Sequence, residues 1–513
     1  MSAKRTVQID LNRVEGDLEF QLELEGREVV EARCIGSLYR GFEQILIGRK
    51  PKDGLVITPR ICGICGTAHL YSAVLALEQI GGISVPPNAI RIRNLCLMAE
   101  TVQSDLRQSF LFFTADFCHP KYADRPLYDK ARDAFLPFKG RAHRGTLEHS
   151  RHVPGIVAIF GGQWPHSSYM VPGGVTAPPT SRRILDSLSI LNNLTRWFEQ
   201  AVIGTDLDSW LTLESSDEFF TWLEAKDGHA NCAIGLLTRM SRDIGLHRLG
   251  FGTPHMLSYG AYCDPTGGQP LSQNPEHLFR SGFLNGDTGE IEPFDHTEIA
   301  EHVRYSWFEP YEGGRHPFRG QTVPDYQPHS DRYTWCKAPR YRNKVVQTGP
   351  MAELLIDGDP LIGSLYRAEG GNAWLRQFAR LRRTALLLQK MRETLQELAA
   401  HLDDPHFISP AEDEIPDGEG FGLVTAARGA LGHWVQVTDG VISRYQVITP
   451  TAWNASPKDS EGRHGHWESS LIGLTVDDPD DPMEIGHIIR SHDPCLVCTV
   501  HLLDTGKRMT VWP

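Results

Sequence analysis

Residues 60–66 read RICGICG and residues 493–501 read DPCLVCTVH, two Cys-x-x-Cys pairs separated by more than four hundred residues. In the first, Gly63 and Gly66 let the backbone fold round so that the thiols of Cys62 and Cys65 can face one ion. The separation between the pairs is what discriminates. A zinc ribbon gathers its four thiolates within a few tens of residues, because its metal staples a domain too small to hold itself together. A thioredoxin-type pair follows a strand in a small βαβ unit. Neither context surrounds these pairs. A four-thiolate metal site uniting the two ends of a long chain is therefore the leading reading, with structural zinc or unrelated thiols as alternatives. Soft thiolates favour zinc, copper(I), iron–sulfur or thiolate-rich nickel.

The intervening chain is long enough to enclose such a site. Of 513 residues, 51 are Lys or Arg and 64 are Asp or Glu, a net charge of −13 that offers no electrostatic footprint for nucleic acid. Mean hydropathy is −0.31, and apolar runs such as Phe110–Phe113 and Leu386–Leu388 fall far short of the ~20 residues that cross a bilayer. The start, MSAKRTVQIDLNRVEG, has no apolar core of an export signal. Ten cysteines are too sparse for a disulfide scaffold and point to a reducing compartment. The expectation is a cytoplasmic protein, with peripheral membrane association only through partners.

Outward from the first pair, LEFQLELEGREVVEARCIG (18–36) alternates apolar and polar residues and pauses at Glu25-Gly26, which predicts a β-hairpin. Apolar residues recur at three and four from Ala68 to Gln79 and from Ile90 to Phe113, with Gly81-Gly82 and Pro86-Pro87 between, which predicts two helices. Asn372 to Leu402 holds no Pro or Gly and places Trp374, Phe378, Leu381 and Leu388 near one stripe of a long helix. Pro265–Pro275, Glu312–Pro324 and Asp403–Gly420 read as surface loops. With no repeat and no linker, the helical middle and the strand-rich ends are expected to form one body.

These residues resemble the large, catalytic subunit of [NiFe]-hydrogenases. RICGICG and DPCLVCTVH look like that family's two metal-binding motifs. NRVEGDL (12–18), YRGFEQIL (39–46), GGQWPH and PGGVT (161–176), TWCKAPRY (334–341), ARGALGHW (427–434) and YQVITPTAWN (445–454) complete an ordered series over about residues 6–501. RVEGDLEF, the comparatively short chain and SDLRQSFLFFTADF look most like the cytoplasmic uptake group. The resemblance implies an α+β fold, predominantly α-helical, with a central bundle of long helices, peripheral β-sheets from the N- and C-terminal parts, and a site buried where both ends meet. It implies one domain over 1–501.

By the same resemblance Cys62, Cys65, Cys495 and Cys498 bind nickel, and Cys65 and Cys498 also bridge to an iron carrying carbon monoxide and cyanide. Glu15 receives the proton from the thiolate of Cys495, and Arg428 stands over the open metal position in an electrostatic role. His69 resembles a histidine that hydrogen-bonds a sulfur of the site. Glu43, His501 and the backbone carbonyl of about Val447 correspond to ligands of a separate magnesium or iron(II) ion. His166 is read as structural. The other cysteines, Cys34, Cys96, Cys118, Cys232, Cys263 and Cys336, are read as small buried hydrophobes. Three departures stand out: Thr425-Ala426-Ala427 where many relatives have Glu-Ala-Pro, Asp17 where many have His, and Ser104-Asp105 where an Asp-His pair is common. Asp105 is either a substitute carboxylate or a solvated helix acid.

No cysteine spacing remains to hold an iron–sulfur relay, so electrons from hydrogen require an obligate iron–sulfur small subunit, as the family provides, with quinone or another acceptor beyond it. A higher oligomer of such heterodimers is expected. Leu502–Pro513 resembles the peptide that a dedicated endopeptidase removes after nickel-insertion factors have loaded the site. The alternative within the family is a hydrogen sensor, whose large subunits generally lack that peptide.

Overall fold

The alternation that begins at Leu18 becomes the middle of a sheet. In a computed structural model that describes residues 4–265, 276–496 and 509–510, β1 (Lys4–Leu11), β2 (Leu18–Glu25) and β3 (Glu28–Gly36) run antiparallel. Ile9, Phe20 and Cys34 lie in register, as do Val7, Leu22 and Ala32, so every second side chain of β2 enters one buried face. The turn is made at Gly26, in the left-handed region at φ 66°.

The two expected helices are α1 (Gly66–Gly81) and α2 (Pro87–Arg107). The apolar periodicity beyond Arg107 is real but not α-helical. The chain widens through Gln108–Phe113 and then tightens through Thr114–Cys118. After α3 (Ser181–Trp197) come β4 (Met256–Cys263), β5 (His277–Asn285) and β6 (Glu290–Glu292), a second antiparallel sheet. It packs on α4 (Pro350–Asp357). The long helix is α5 (Ala373–Ala400), started by the Asn372 side chain, which accepts a hydrogen bond from the Leu375 amide. It packs against α2, α3 and α4. The stripe expected on it is buried, but so are Arg376, Arg380, Arg382 and Arg383, so the N-terminal half of α5 is enclosed on nearly all sides and its charges are internal, while Lys390, Glu393 and Glu397 further on reach solvent.

A third sheet, β7 (Gly418–Ala426), β8 (Gly429–Thr438) and β9 (Val441–Ile448), lies on α1. The expected loop from Asp403 therefore ends three residues early, at Asp417. Gly422 makes this contact possible, since a Cβ there would sit 1.9 Å from the carbonyl oxygen of Ser72. Last come α6 (Met483–Arg490) and β10 (Met509–Thr510), which pairs parallel with β1.

The apolar interior divides into three clusters. One surrounds α1, α2 and α5 and includes Cys62, Cys65 and Cys495. A second joins the β1–β3 sheet to the chain from Leu471 to Leu496, and a third lies under β8. Cys495 belongs to the first and its neighbour Leu496 to the second, which places the second cysteine segment at the seam between helical body and N-terminal sheet. This is the α+β, mainly helical architecture with peripheral sheets that the sequence implied.

Candidate metal centre

Cys62 and Cys65 occupy the tight segment between a short turn at Thr58–Arg60 and the start of α1. Gly66 is forced by crowding there, because a Cβ would lie 2.9 Å from the carbonyl oxygen of Pro59. The Ile64 amide donates to Cys62 Sγ at 3.3 Å. Beneath the loop, the buried carboxylate of Glu100 accepts from the amides of Thr67 and Ala68 at 3.0 and 3.2 Å and from Trp164 Nε1 at 3.2 Å. It caps the positive end of α1 from another helix. Burial pushes its pKa up to about 7 against the pull of those donors.

Cys495 arrives from the other end of the chain. Glu15 and Cys495 form an isolated parallel bridge, in which the Glu15 amide donates to Pro494 O at 3.2 Å and the Leu496 amide to Glu15 O at 2.6 Å. The Cys495 amide also donates to Thr451 Oγ1 at 3.2 Å. The result is a buried trio: the sulfurs of Cys62, Cys65 and Cys495 lie within 4.8 Å of one another, with Cys62 and Cys495 3.6 Å apart. Three soft donors converging in a largely apolar enclosure fit a thiolate-binding metal. Cys498 and His501 lie outside the described residues.

Two charged groups face the trio. Arg428, wholly buried, donates from Nε to Asp493 O at 3.1 Å and pairs through Nη2 with Asp493 Oδ1 at 3.1 Å, while its Nη1 has no hydrogen-bond partner among the described residues. Burial opposes its charge, yet Asp493 and the thiols of Cys495, Cys62 and Cys65 hold it protonated, above its ordinary value. Glu15 is half-buried, and desolvation first, then Cys62, raise its pKa, while Arg428 pulls it down.

Behind Arg428 lies a network absent from the sequence reading. Asp493 stands in the left-handed region, φ 60°, and reaches Arg380 Nη1 at 3.6 Å. Arg380 and Arg383 both bind Asp105, at 3.2 and 2.7 Å. Arg383 Nη2 also donates to the carbonyl oxygen of Ala427 at 2.5 Å, fixing the residue before Arg428. Asp105 is therefore not a solvated acid: it is fully buried and tied to the support of Arg428. The arginines stand at positions 376, 380 and 383, one face of a helix, which is the sequence pattern that marks them as internal.

His69 is buried, and desolvation lowers its pKa to about 4. Its Nδ1 lies 3.0 Å from His433 Nε2, whose Nδ1 lies 2.8 Å from the Tyr445 hydroxyl. His166 does more than fill space, since its Nδ1 meets Pro59 O at 3.0 Å beside the first cysteine loop. The six other cysteines are buried, as expected.

In the region of Glu43, the Val447 amide donates to Glu43 Oε1 at 2.8 Å, which sets the β9 backbone beside that carboxylate. Lys337, itself buried, lies 3.2 Å from Glu43, 2.7 Å from Glu301 and 2.9 Å from Gln446 Oε1. Burial raises Glu301 to about 7, and Lys337 acts against it.

Residues 40–132 and 243–501 match the nickel-dependent hydrogenase family. The chain belongs to that family and is a hydrogenase large subunit, an enzyme chain acting on H2. Among its relatives, the periplasmic [NiFeSe] hydrogenase large subunit of Desulfomicrobium baculatum is 30% identical over 99% of this chain and 97% of its own length. The uptake hydrogenase large subunit of Rhodobacter capsulatus is 25% identical, covering 98% and 96%. The reduced Ni-Fe-Se hydrogenase of D. vulgaris Hildenborough superposes with a TM-score of 0.79 at 30% identity, covering 97% of this chain and all of that one.

Proposed function

We propose that this chain is the catalytic subunit of an uptake hydrogenase that oxidises H2 to protons and electrons and passes the electrons to an iron–sulfur small subunit and on to a quinone or other acceptor. The observation that carries the reading is the buried trio of Cys62, Cys65 and Cys495 with Glu15 and Arg428 set against it. Cys62, Cys65, Cys495 and Cys498 would hold a nickel–iron centre, with Cys65 and Cys498 shared by the iron and carbon monoxide and cyanide completing its ligands. When bound, that centre supplies heterolytic cleavage of H2 and takes up the electrons.

The chain's own groups do the rest. Arg428, kept charged and held by Asp493, offers its unpartnered Nη1 to negative charge developing beside the thiols. Glu15, tied by its backbone to the Cys495 segment, accepts a proton from Cys495 Sγ and passes it outward. His69, backed by His433 and within electrostatic reach of Cys62, would hydrogen-bond a sulfur of the site. Glu43, with His501 and the backbone at Val447, would bind magnesium or iron(II), with Lys337 and Glu301 beside it.

An apolar surface supports a partner. Ile45, Ile47 and Val56 are 43%, 42% and 49% exposed on neighbouring short helical turns just before the first cysteine pair. The small subunit would cover them, and heterodimers would associate further. Among the described residues no helix is long and apolar enough to cross a membrane, and a cytoplasmic location with membrane contact through other subunits accords with that. Residues 1–501 would form the mature domain, with 502–513 removed by an endopeptidase after nickel insertion.

The test is infrared spectroscopy on the enzyme purified with its small subunit, with nickel and iron quantified on the same sample and hydrogen-dependent dye reduction measured. Sharp carbon monoxide and cyanide bands, equimolar nickel and rapid dye reduction are expected. Zinc without those bands would overturn the metal assignment, and bands with negligible turnover would favour a sensor. Mass spectrometry of the mature chain should end at His501, and retention of Pro513 would refute processing.

A further inference from the structure

Arg376, on α5, is wholly buried and has no acidic partner among the described residues. Its guanidinium donates from Nε to Gln347 Oε1 at 2.6 Å, from Nη2 to the carbonyl oxygens of Gly250, Phe251 and Gly371 at 2.6, 3.3 and 3.4 Å, and from Nη1 to Ser491 Oγ at 3.4 Å, all neutral groups. This distinguishes it from Arg380, one turn further on, which has Asp105 and Asp493. An uncompensated buried cation is costly, and burial alone lowers Arg376 to about 9.

Around it stand buried polar nitrogens without a hydrogen-bond partner among the described residues. Gln347 gives its amide oxygen to Arg376, so the atom left over is Nε2, a donor, and it is buried without a partner. His466 accepts at Nδ1 from the Thr253 amide at 3.1 Å. A neutral ring must then carry its proton on Nε2, and that atom too is buried without a partner. His492 packs edge-on against His466, ring centroids 4.8 Å apart at 84°, and its Nε2 is also buried without a partner among the described residues, so a neutral His492 can carry its proton there. These side chains are neighbours through shared segments: loop 250–253 binds both Arg376 and His466, and Ser491, which meets Arg376, precedes His492.

Donors without acceptors beside an unpaired cation exclude a metal ion, which needs lone pairs and an absence of positive charge, and call for a negative ligand. We infer that Arg376, Gln347, His466 and His492 form a buried site for a small monovalent anion of halide size, separate from the thiol cluster. Gly252 has φ 62°, and a Cβ there would lie 2.4 Å from His466 Nδ1, so bare backbone packs against the His466 ring on its Nδ1 side, next to the exposed Phe251. Because Ser491 and His492 form part of the site, occupancy braces the segment that leads to Cys495.

The test uses the intact enzyme with its small subunit, in crystals grown with bromide as the only halide. An anomalous peak within hydrogen-bond reach of His466 Nε2 and Gln347 Nε2 is expected. In solution, replacing a bulky organic anion by chloride at constant ionic strength should raise the apparent unfolding temperature by about 2–4 °C. Gln347→Glu supplies the missing carboxylate, so it should abolish the chloride dependence without lowering stability in chloride-free buffer. His466→Phe should weaken the dependence by removing a donor. Absence of the bromide peak, or a peak with no chloride effect on unfolding, overturns the assignment. A chloride effect that persists unchanged in Gln347→Glu does so as well.

Discussion

Replacing Asp116 with Asn should loosen both ends of the chain at once. The Asp116 carboxylate is fully buried and pairs with Arg13 and, at 2.7 Å, with Arg490 Nη1. Arg13 lies two residues before Glu15, and Arg490 ends α6, five residues before Cys495. The substitution leaves two guanidinium groups facing a neutral amide. Losing one partner of a buried pair costs about 3–5 kcal/mol. The lower end applies here, because Arg490 keeps Asn12 O and Oδ1 at 3.1 and 2.6 Å and Arg13 keeps Phe112 O at 2.7 Å. A local loss of about 3 kcal/mol corresponds to amide exchange on the order of 100-fold faster. Native-state hydrogen exchange read by mass spectrometry, on peptides covering residues 10–17 and 483–496, measures it directly. The pH dependence has a definite sign. Burial alone would raise the Asp116 pKa, but Arg13 and Arg490, with His487, hold it well below the usual carboxylate range. The pair therefore contributes its full stability above the unfolded value of about 3.9 and loses it as pH falls below that. The two proteins should differ most near neutrality and converge in acid. Exchange in Asp116→Asn within threefold of the parent at pH 7 would refute the reasoning.

Glu15→Gln should lower hydrogen oxidation about 10²–10⁴-fold with nickel content unchanged, measured by dye reduction and metal analysis; normal turnover would remove Glu15 from the proton route. Arg428→Lys cannot hold Asp493 through two nitrogens and should lose about 10²–10³-fold in turnover, again at constant metal content. Gly422→Ala drives a methyl group into the carbonyl oxygen of Ser72 and should destabilise by about 1–3 kcal/mol, seen as a lower unfolding temperature. A neutral result there would mean that β7 does not press on α1 as described.

What the sequence made legible were features carried by local spacing. The hairpin from Leu18 follows from period-two alternation, α5 from an unbroken helical pattern, and the cysteine pairs from their three-residue step. The support of Arg428 was not legible, because Asp105, Arg383 and Ala427 come from three distant segments and meet only in the folded chain. Glu100 likewise caps α1 from a neighbouring helix, a role invisible to a reading confined to one helix and its own flanks. Asp105 was ambiguous for a related reason: acids on helices are usually solvated, and only the internal arginines of α5 make this one an exception.

The parallel bridge between Glu15 and Cys495 also dates the site within the life of the chain. Cys65 and Cys495 are about 430 residues apart, so at ~5–20 residues per second a ribosome takes roughly 20–90 s to travel between them. During that interval the first cysteine pair, β1 and α1 exist with nothing to close over them. The helical body can fold while synthesis continues, yet the trio can form only after Cys495 has emerged. Any metal delivered earlier would find at most two of these three thiols, so the order of translation itself defers assembly of the trio until Cys495 is made.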